Sequence, residues 1–178
     1  MGYEGIIIEG MRNVMSIRFV NNQKEFTEAM NFYYSKTQKR KFDIVLGLVF
    51  SLISIALFVF MEQTYIYIIL FCMGMLLFLF AMFKGSIYSK IRFANDKKFN
   101  EEYEIDFNDQ GMHFKTVSID SVIRWDYYAR VWETEKFFYL FYGKDLFSLF
   151  PKRAFANDES MKEFRELVKG KISNYCDL

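Results

Sequence analysis

The chain has 178 residues, 52% hydrophobic and 20% aromatic, with 23 Lys and Arg, 22 Asp and Glu, and a single proline. That length suits one small soluble domain plus a membrane element, and the apolar and aromatic load excludes a disordered chain. Residues 1–100 hold 12 basic and 7 acidic side chains, residues 101–178 hold 11 and 15; the C-terminal part lacks the basic face that phosphate binding needs, so nucleic acid is not an expected partner.

The leader, residues 1–13, has no basic segment followed by a long apolar run, so no cleaved signal is evident. Ile6 stands where a myristoylation motif carries Ser or Thr. From Met11 to Val20 the residues alternate, with Met15, Ile17 and Phe19 against Val14, Ser16, Arg18 and Val20. This predicts a strand that ends in an Asn21-Asn22 turn. A helix is expected over Thr27 to Ser35, because Phe26, Met30, Tyr33 and Tyr34 fall on one stripe. The basic cluster Lys36, Lys39, Arg40 and Lys41 follows. Residues 14–41 are thus read as a cytosolic strand and short helix.

Residues 42–83 are two apolar runs, 42–61 and 64–83, joined by little more than Glu62-Gln63. At about 1.5 Å per residue each run matches a hydrocarbon core of about 30 Å. So short a link predicts an antiparallel helical hairpin spanning a membrane. Positive residues lie before the first run and after the second (Lys84, Lys90, Arg92), which places both termini in the cytoplasm. Asp43 sits in the first turn, where it complements the helix dipole or snorkels. Gly47, Ser51 and Ser54 form a small-residue face that Gly74 would meet. Neither span carries an acid, base or proline away from its ends, so the hairpin reads as an anchor rather than an ion pathway.

Residues 84–100 are expected to form a cytosolic helical linker. Beyond them, alternating runs at Tyr103–Phe107 and Met112–Phe114 flank the turn Asn108-Asp109-Gln110-Gly111. Further strands are expected near residues 121–125, 130–134, 137–142 and 146–150, with Pro151 closing the last. Asp158 is read as a helix N-cap, with Phe164, Leu167, Val168 and Ile172 along one face. The expected fold class is an α+β membrane protein: a two-helix transmembrane hairpin plus a small antiparallel half-barrel over 101–178, closed by a C-terminal helix.

No constellation of catalytic residues stands out. His113 is the single histidine and has no partner that spacing can place beside it. Glu133 and Glu135, or Asp158 and Glu159, form pairs that strand-edge and helix-start charges explain equally well. Gly143-Lys144 lacks the rest of a phosphate loop. Cys72 and Cys176 belong to no CxxC or Cys/His cluster, so neither a zinc site nor any cofactor is expected. Trp125 with Asp126 reads as a core aromatic beside a capped turn. Candidate contacts for anionic headgroups or a partner are Lys36, Lys39, Arg40, Lys41, Lys152 and Arg153, each gaining about 1 kcal/mol near an anionic surface.

Several marks occur together: Asn108-Asp109-Gln110-Gly111, Trp125-Asp126, Val131-Trp132-Glu133-Thr134, Phe138-Tyr139-Leu140, Phe150-Pro151-Lys152-Arg153-Ala154-Phe155 and Glu163-Phe164-Arg165. In their order and spacing the chain resembles the bacterial YcxB-like proteins over residues 14–175. The resemblance implies a two-span hairpin and a C-terminal domain similar to pleckstrin-homology (PH) folds; it implies no established activity. The resulting expectation is a non-enzymatic protein of the bacterial inner membrane. Its cytosolic PH-like module would bind an unidentified membrane or cytosolic protein, or lipid headgroups. The alternative is an accessory subunit of a membrane complex or oligomeric transporter that acts through the hairpin.

Overall fold

The computed structural model describes residues 15–60, 64–95, 99 and 101–178, with only the backbone at 38–40 and 64. The leader 1–13 and the Glu62-Gln63 link lie outside the described residues, as do the side chains of Lys39 and Arg40. The described elements form an α+β protein with two long apolar helices and two four-stranded sheets, and no closed barrel. They fall into two units: a helical unit from the first helix to the third, and a sheet unit that joins the first strand to everything from the second strand onward.

In the helical unit, α1 (Gln23–Lys36) starts at Asn22, whose side chain accepts from the Lys24 N–H at 2.8 Å. It buries Ala29, Met30 and Tyr33, the stripe that its spacing predicts. The apolar helices are α2 (Gln38–Phe60) and α3 (Thr64–Asn95). Only 11% of the most apolar window of each is buried, whereas the core helix of a soluble protein hides most of its surface. A Cβ on Gly47 would stand 2.9 Å from the Phe78 nitrogen, and one on Gly74 would stand 2.8 Å from Ser51 Oγ. The two backbones therefore approach where side chains are absent. Ser51 and Ser54 donate back to the carbonyls of Gly47 and Phe50 at 2.9 and 2.7 Å, which satisfies both hydroxyls within α2.

The last third of α3 is different in kind. Gly85 lets Asn31 of α1 lie against it, the Thr27 and Ser89 hydroxyls meet at 2.7 Å, and Asn31 donates to Ser86 at 3.0 Å. Phe26 adds ring contacts with Phe93 and Phe99 at 5.6 and 4.8 Å. Polar groups thus fasten α1 alongside the part of α3 that follows its apolar run.

In the sheet unit, β1 (Met15–Val20), β2 (Glu102–Phe107), β3 (Gly111–Lys115) and β4 (Asp120–Arg124) form one antiparallel sheet in that order. β1 pairs along its whole length with β2, from Met15 opposite Phe107 to Val20 opposite Glu102. The second sheet has the order β7 (Phe147–Pro151), β6 (Phe137–Phe141), β5 (Arg130–Glu133), β8 (Tyr175–Asp177). There β8 runs parallel to β5 while the other pairs are antiparallel. Pro151 lies on edge strand β7, where a missing N–H is tolerated. The core draws on both sheets and on α4 (Asp158–Lys171): Ile17, Ile105, Phe107, Val131, Phe138 and Phe150 surround Phe164 and Val168. The Phe164 ring lies tilted 4.8 Å from Phe107 and edge-on 5.0 Å from Phe138.

Several details differ from the sequence reading. Because α2 begins at Gln38, Asp43 lies beyond its first turn, where it pairs with Lys84 at 3.2 Å rather than complementing the helix N-terminus. The half-barrel is two separate sheets, one of them mixed. The α4 cap is Asn157, which exchanges bonds with Ser160 as a capping box, and Asp158 sits one position inside. Asp126 caps nothing; it pairs with Arg124 at 2.7 Å beside the 3-10 turn Trp125–Tyr127.

Ile17 is 2% exposed. Ile17→Ala is expected to destabilise the sheet unit by about 2–5 kcal/mol. An unchanged thermal transition of that unit would show that β1 is not part of its core.

Candidate functional site

The strongest concentration of charge chemistry in the sheet unit centres on Glu133. Strand alternation explains its position: in β5 it shares a face with Val131, so it points into the core and is 2% exposed. Arg165 of α4 forks it, with Nε 2.9 Å from Oε2 and Nη2 2.6 Å from Oε1. Lys152, in the 3-10 turn Lys152–Ala154 after β7, places Nζ 2.6 Å from Oε1. The Tyr175 hydroxyl of β8 donates to Oε2. One carboxylate therefore ties β5, the turn after β7, α4 and β8 together.

Burial pushes the Glu133 carboxyl up, but the bonds from Arg165, Lys152 and Tyr175 outweigh it and hold the pKa at about 2. The same bonds to Glu133 raise Arg165. Burial, then the neighbouring carboxylate, raises Tyr175. At neutral pH the cluster is an ionised carboxylate saturated with donors. It is built to hold a geometry rather than to move a proton, and a carboxylate without its proton is no general acid.

The six residues singled out from the sequence separate. Lys36 and Lys41 are exposed in the helical unit, and Lys36 Nζ lies 5.4 Å from the Phe32 ring centre. The side chains of Lys39 and Arg40 lie outside the described residues. Lys152 is turned inward onto Glu133 and over the Phe138 ring at 5.0 Å. Exposed Arg153 donates to the Val20 carbonyl at 3.0 Å. The helical unit adds two cations that were read only as topology markers. Lys84 pairs with Asp43 at 3.2 Å and lies 5.9 Å from the Tyr34 ring, and Arg92 lies 5.3 Å from the Tyr88 ring.

Other residues take structural roles. Trp125 is 4% exposed and donates to the Asn108 carbonyl at 2.8 Å. His113 meets Asp120 at 2.6 Å on the surface, and that contact lowers the Asp120 pKa. Among the described residues no three His, Cys, Asp or Glu side chains converge on a metal position.

Comparison with known proteins adds one finding to this geometry. Residues 107–168 match the model of the YcxB-like protein family. No curated protein and no solved structure matches the chain. The YcxB-like segment contains Glu133, Lys152 and Arg165 but stops before Tyr175. The marks that carried the resemblance are mostly core: Trp125, Phe138, Phe150 and Phe164 are each at most 4% exposed. They specify packing, which is why they speak for fold more than for a ligand.

The Glu133 cluster predicts a definite acid response. A carboxylate whose pKa is lower in the folded state stabilises fully above its ordinary value near 4.5, and loses that contribution as the pH falls toward about 2. Unfolding free energy is expected to drop across that window by an amount on the order of 3 kcal/mol. Glu133→Gln should lose much of that dependence in chemical denaturation at stepped pH; an unchanged slope would locate the acid sensitivity elsewhere.

Proposed function

We propose that the chain is an integral protein of the bacterial inner membrane, in which α2 and α3 span the bilayer and hold a PH-like binding module at its cytoplasmic face, without catalysis. One observation carries this reading: the apolar hairpin is inserted between β1 and β2, which pair from end to end. Both connections to the hairpin thus leave from one end of one sheet, at Val20 and Glu102. That connectivity suits a hairpin that enters and leaves a membrane on the same side.

Exposure of the helices supports the membrane assignment. Leu52, Val59, Phe60, Ile69 and Leu76 are each at least 65% exposed. A face of that kind is stable only against lipid or another apolar partner. With 32 residues, α3 is about 48 Å long against a hydrocarbon core of about 30 Å. The remainder, packed with α1 through polar contacts, reads as a short two-helix stalk outside the bilayer. Lys84 with Asp43 and Arg92 with Tyr88 then lie at or beyond the cytoplasmic boundary, where such groups are favoured. The two-sheet sandwich with a C-terminal helix supports the PH-like reading.

Lys36 and Lys41, with Lys39 and Arg40 beside them in sequence, are the best-placed cations for anionic headgroups. Lys152 is withdrawn into the Glu133 cluster and contributes little to such a surface. The second reading is a subunit of a membrane complex or oligomeric transporter working through the hairpin, whose small residues Gly47, Ser51 and Gly74 pack within the hairpin itself.

Topology is testable with the native thiol of Cys176 and one introduced thiol, in a chain with Cys72 replaced by Ser. A membrane-impermeant maleimide should label Gln63→Cys in intact cells and Cys176 only in inverted vesicles; the reverse pattern would overturn the orientation. Native mass spectrometry tests the headgroup surface. Full-length protein should carry anionic lipid enriched several-fold over the bulk, and replacing Lys36, Lys39, Arg40 and Lys41 by Gln should return it to the bulk ratio. Unchanged enrichment in that variant would remove lipid as the ligand of these residues.

A further inference from the structure

The outer edge of β5 is covered by three residues that belong to no other part of the sheet. The Val131 N–H donates to the Asn174 carbonyl at 2.8 Å, and the Leu178 N–H donates to the Glu133 carbonyl at 2.9 Å. Between these bonds β8 lies parallel to β5, with Tyr175 opposite Val131, Cys176 opposite Trp132 and Asp177 opposite Glu133. Parallel pairing is the weaker kind per residue, and three residues offer little of it. Tyr175 and Cys176 are half-buried and Asp177 is exposed.

The anchor is one side chain. The Tyr175 ring lies 4.7 Å beneath Lys169 Nζ of α4, and its hydroxyl reaches the buried Glu133 carboxylate. The walls of this slot do not depend on β8. Glu133 has a fork from Arg165 and a bond from Lys152 as well as the Tyr175 contact, so its pairing does not rest on β8 alone. What the slot then offers is a strand edge with open N–H and C=O groups, an acceptor fixed for one aromatic hydroxyl, and a lysine above the ring. Extended segments bind such edges by adding a strand, with backbone bonds supplying affinity and alternate side-chain pockets supplying specificity. The walls at Glu133, Lys152 and Arg165 fall within the YcxB-like match, and β8 falls outside it.

We propose that the groove between β5 and α4 is a strand-accepting site for an extended, tyrosine-bearing segment of a partner protein, and that β8 is its resident occupant. The partner segment pairs with β5 and places its tyrosine hydroxyl on Glu133 in place of Tyr175. This rests on the reading of the sheet unit as a binding module, and it names the partner class. The lipid-contact surface is separate, so loss of lipid enrichment and loss of peptide binding are distinguishable results.

The test uses the full chain in detergent, a variant truncated after Asn174, and a fluorescent peptide of the sequence from Ser173 to Leu178 with Ser in place of Cys176. The truncated variant should bind the peptide saturably by fluorescence anisotropy, and the full chain at least tenfold more weakly. A peptide with Phe in place of Tyr175 should lose at least tenfold in affinity, as expected for a hydrogen bond to a charged group. Should the truncation fail to fold, Tyr175→Ala in the full chain releases the anchor and should bind the peptide more tightly than the unmodified chain. A folded truncated variant that binds no peptide overturns the proposal, as does a folded Tyr175→Ala chain with no gain in binding. A full chain that exchanges β8 between two copies, seen as a dimer dissociated by the peptide, also overturns it by making a second copy the occupant.

Discussion

The pairing of β1 with β2 is the constraint on which the rest depends. It is long-range in sequence, with the whole helical unit lying between its two strands. Closing so large a loop would be costly for a flexible chain, though the cost grows only slowly with length. Here the intervening segment is a hairpin whose helices run side by side, so its own packing brings its ends back together. The close approach at Gly47 and Gly74 and the contacts of α1 with α3 at Thr27, Asn31 and Gly85 are local to the helical unit. They also reduce the loop that the sheet must close.

Glu133 plays the corresponding part in the second sheet. A buried ion cluster is an expensive fastening, because desolvation offsets much of the Coulombic gain and an apolar replacement often does as well for stability. Its advantage lies in geometry. A bidentate guanidinium, an ammonium and a phenol converge on one carboxylate from three directions, and together they set the placement of α4, of the turn after β7 and of β8 on β5. Phe164 lies one residue from Arg165 and fills the core between the sheets, so α4 is held by packing and by charge within the same turn.

Much of this was legible wherever a periodic signal ran long enough. Two apolar runs announced α2 and α3, alternation marked β1 and β2, and Phe164 with Val168 marked the buried side of α4. Pairing was not legible: alternation identifies a strand but not its neighbour, so β1 read as part of an N-terminal segment rather than as the edge of the sheet that begins at residue 102. β8 was missed because three residues carry no period. Glu133 was seen as a charge on a strand. Its alternation with Val131 pointed inward, but its partners Lys152, Arg165 and Tyr175 are 19, 32 and 42 residues away and only the fold brings them together. For the same reason Lys152 looked like a surface cation.

On the proposed reading, the hairpin holds the sheet unit near the membrane and so raises its effective concentration toward other membrane proteins. Modest intrinsic affinity is then sufficient, which fits a groove with one side-chain anchor and a few backbone bonds better than it fits a deep pocket. A resident strand makes that arrangement selective, because a partner must displace β8 and only a segment that reproduces the Tyr175 contact recovers the lost bond to Glu133. On that reading, exchange of the strand alters one contact of Glu133, whose bonds from Arg165 and Lys152 come from elements outside β8.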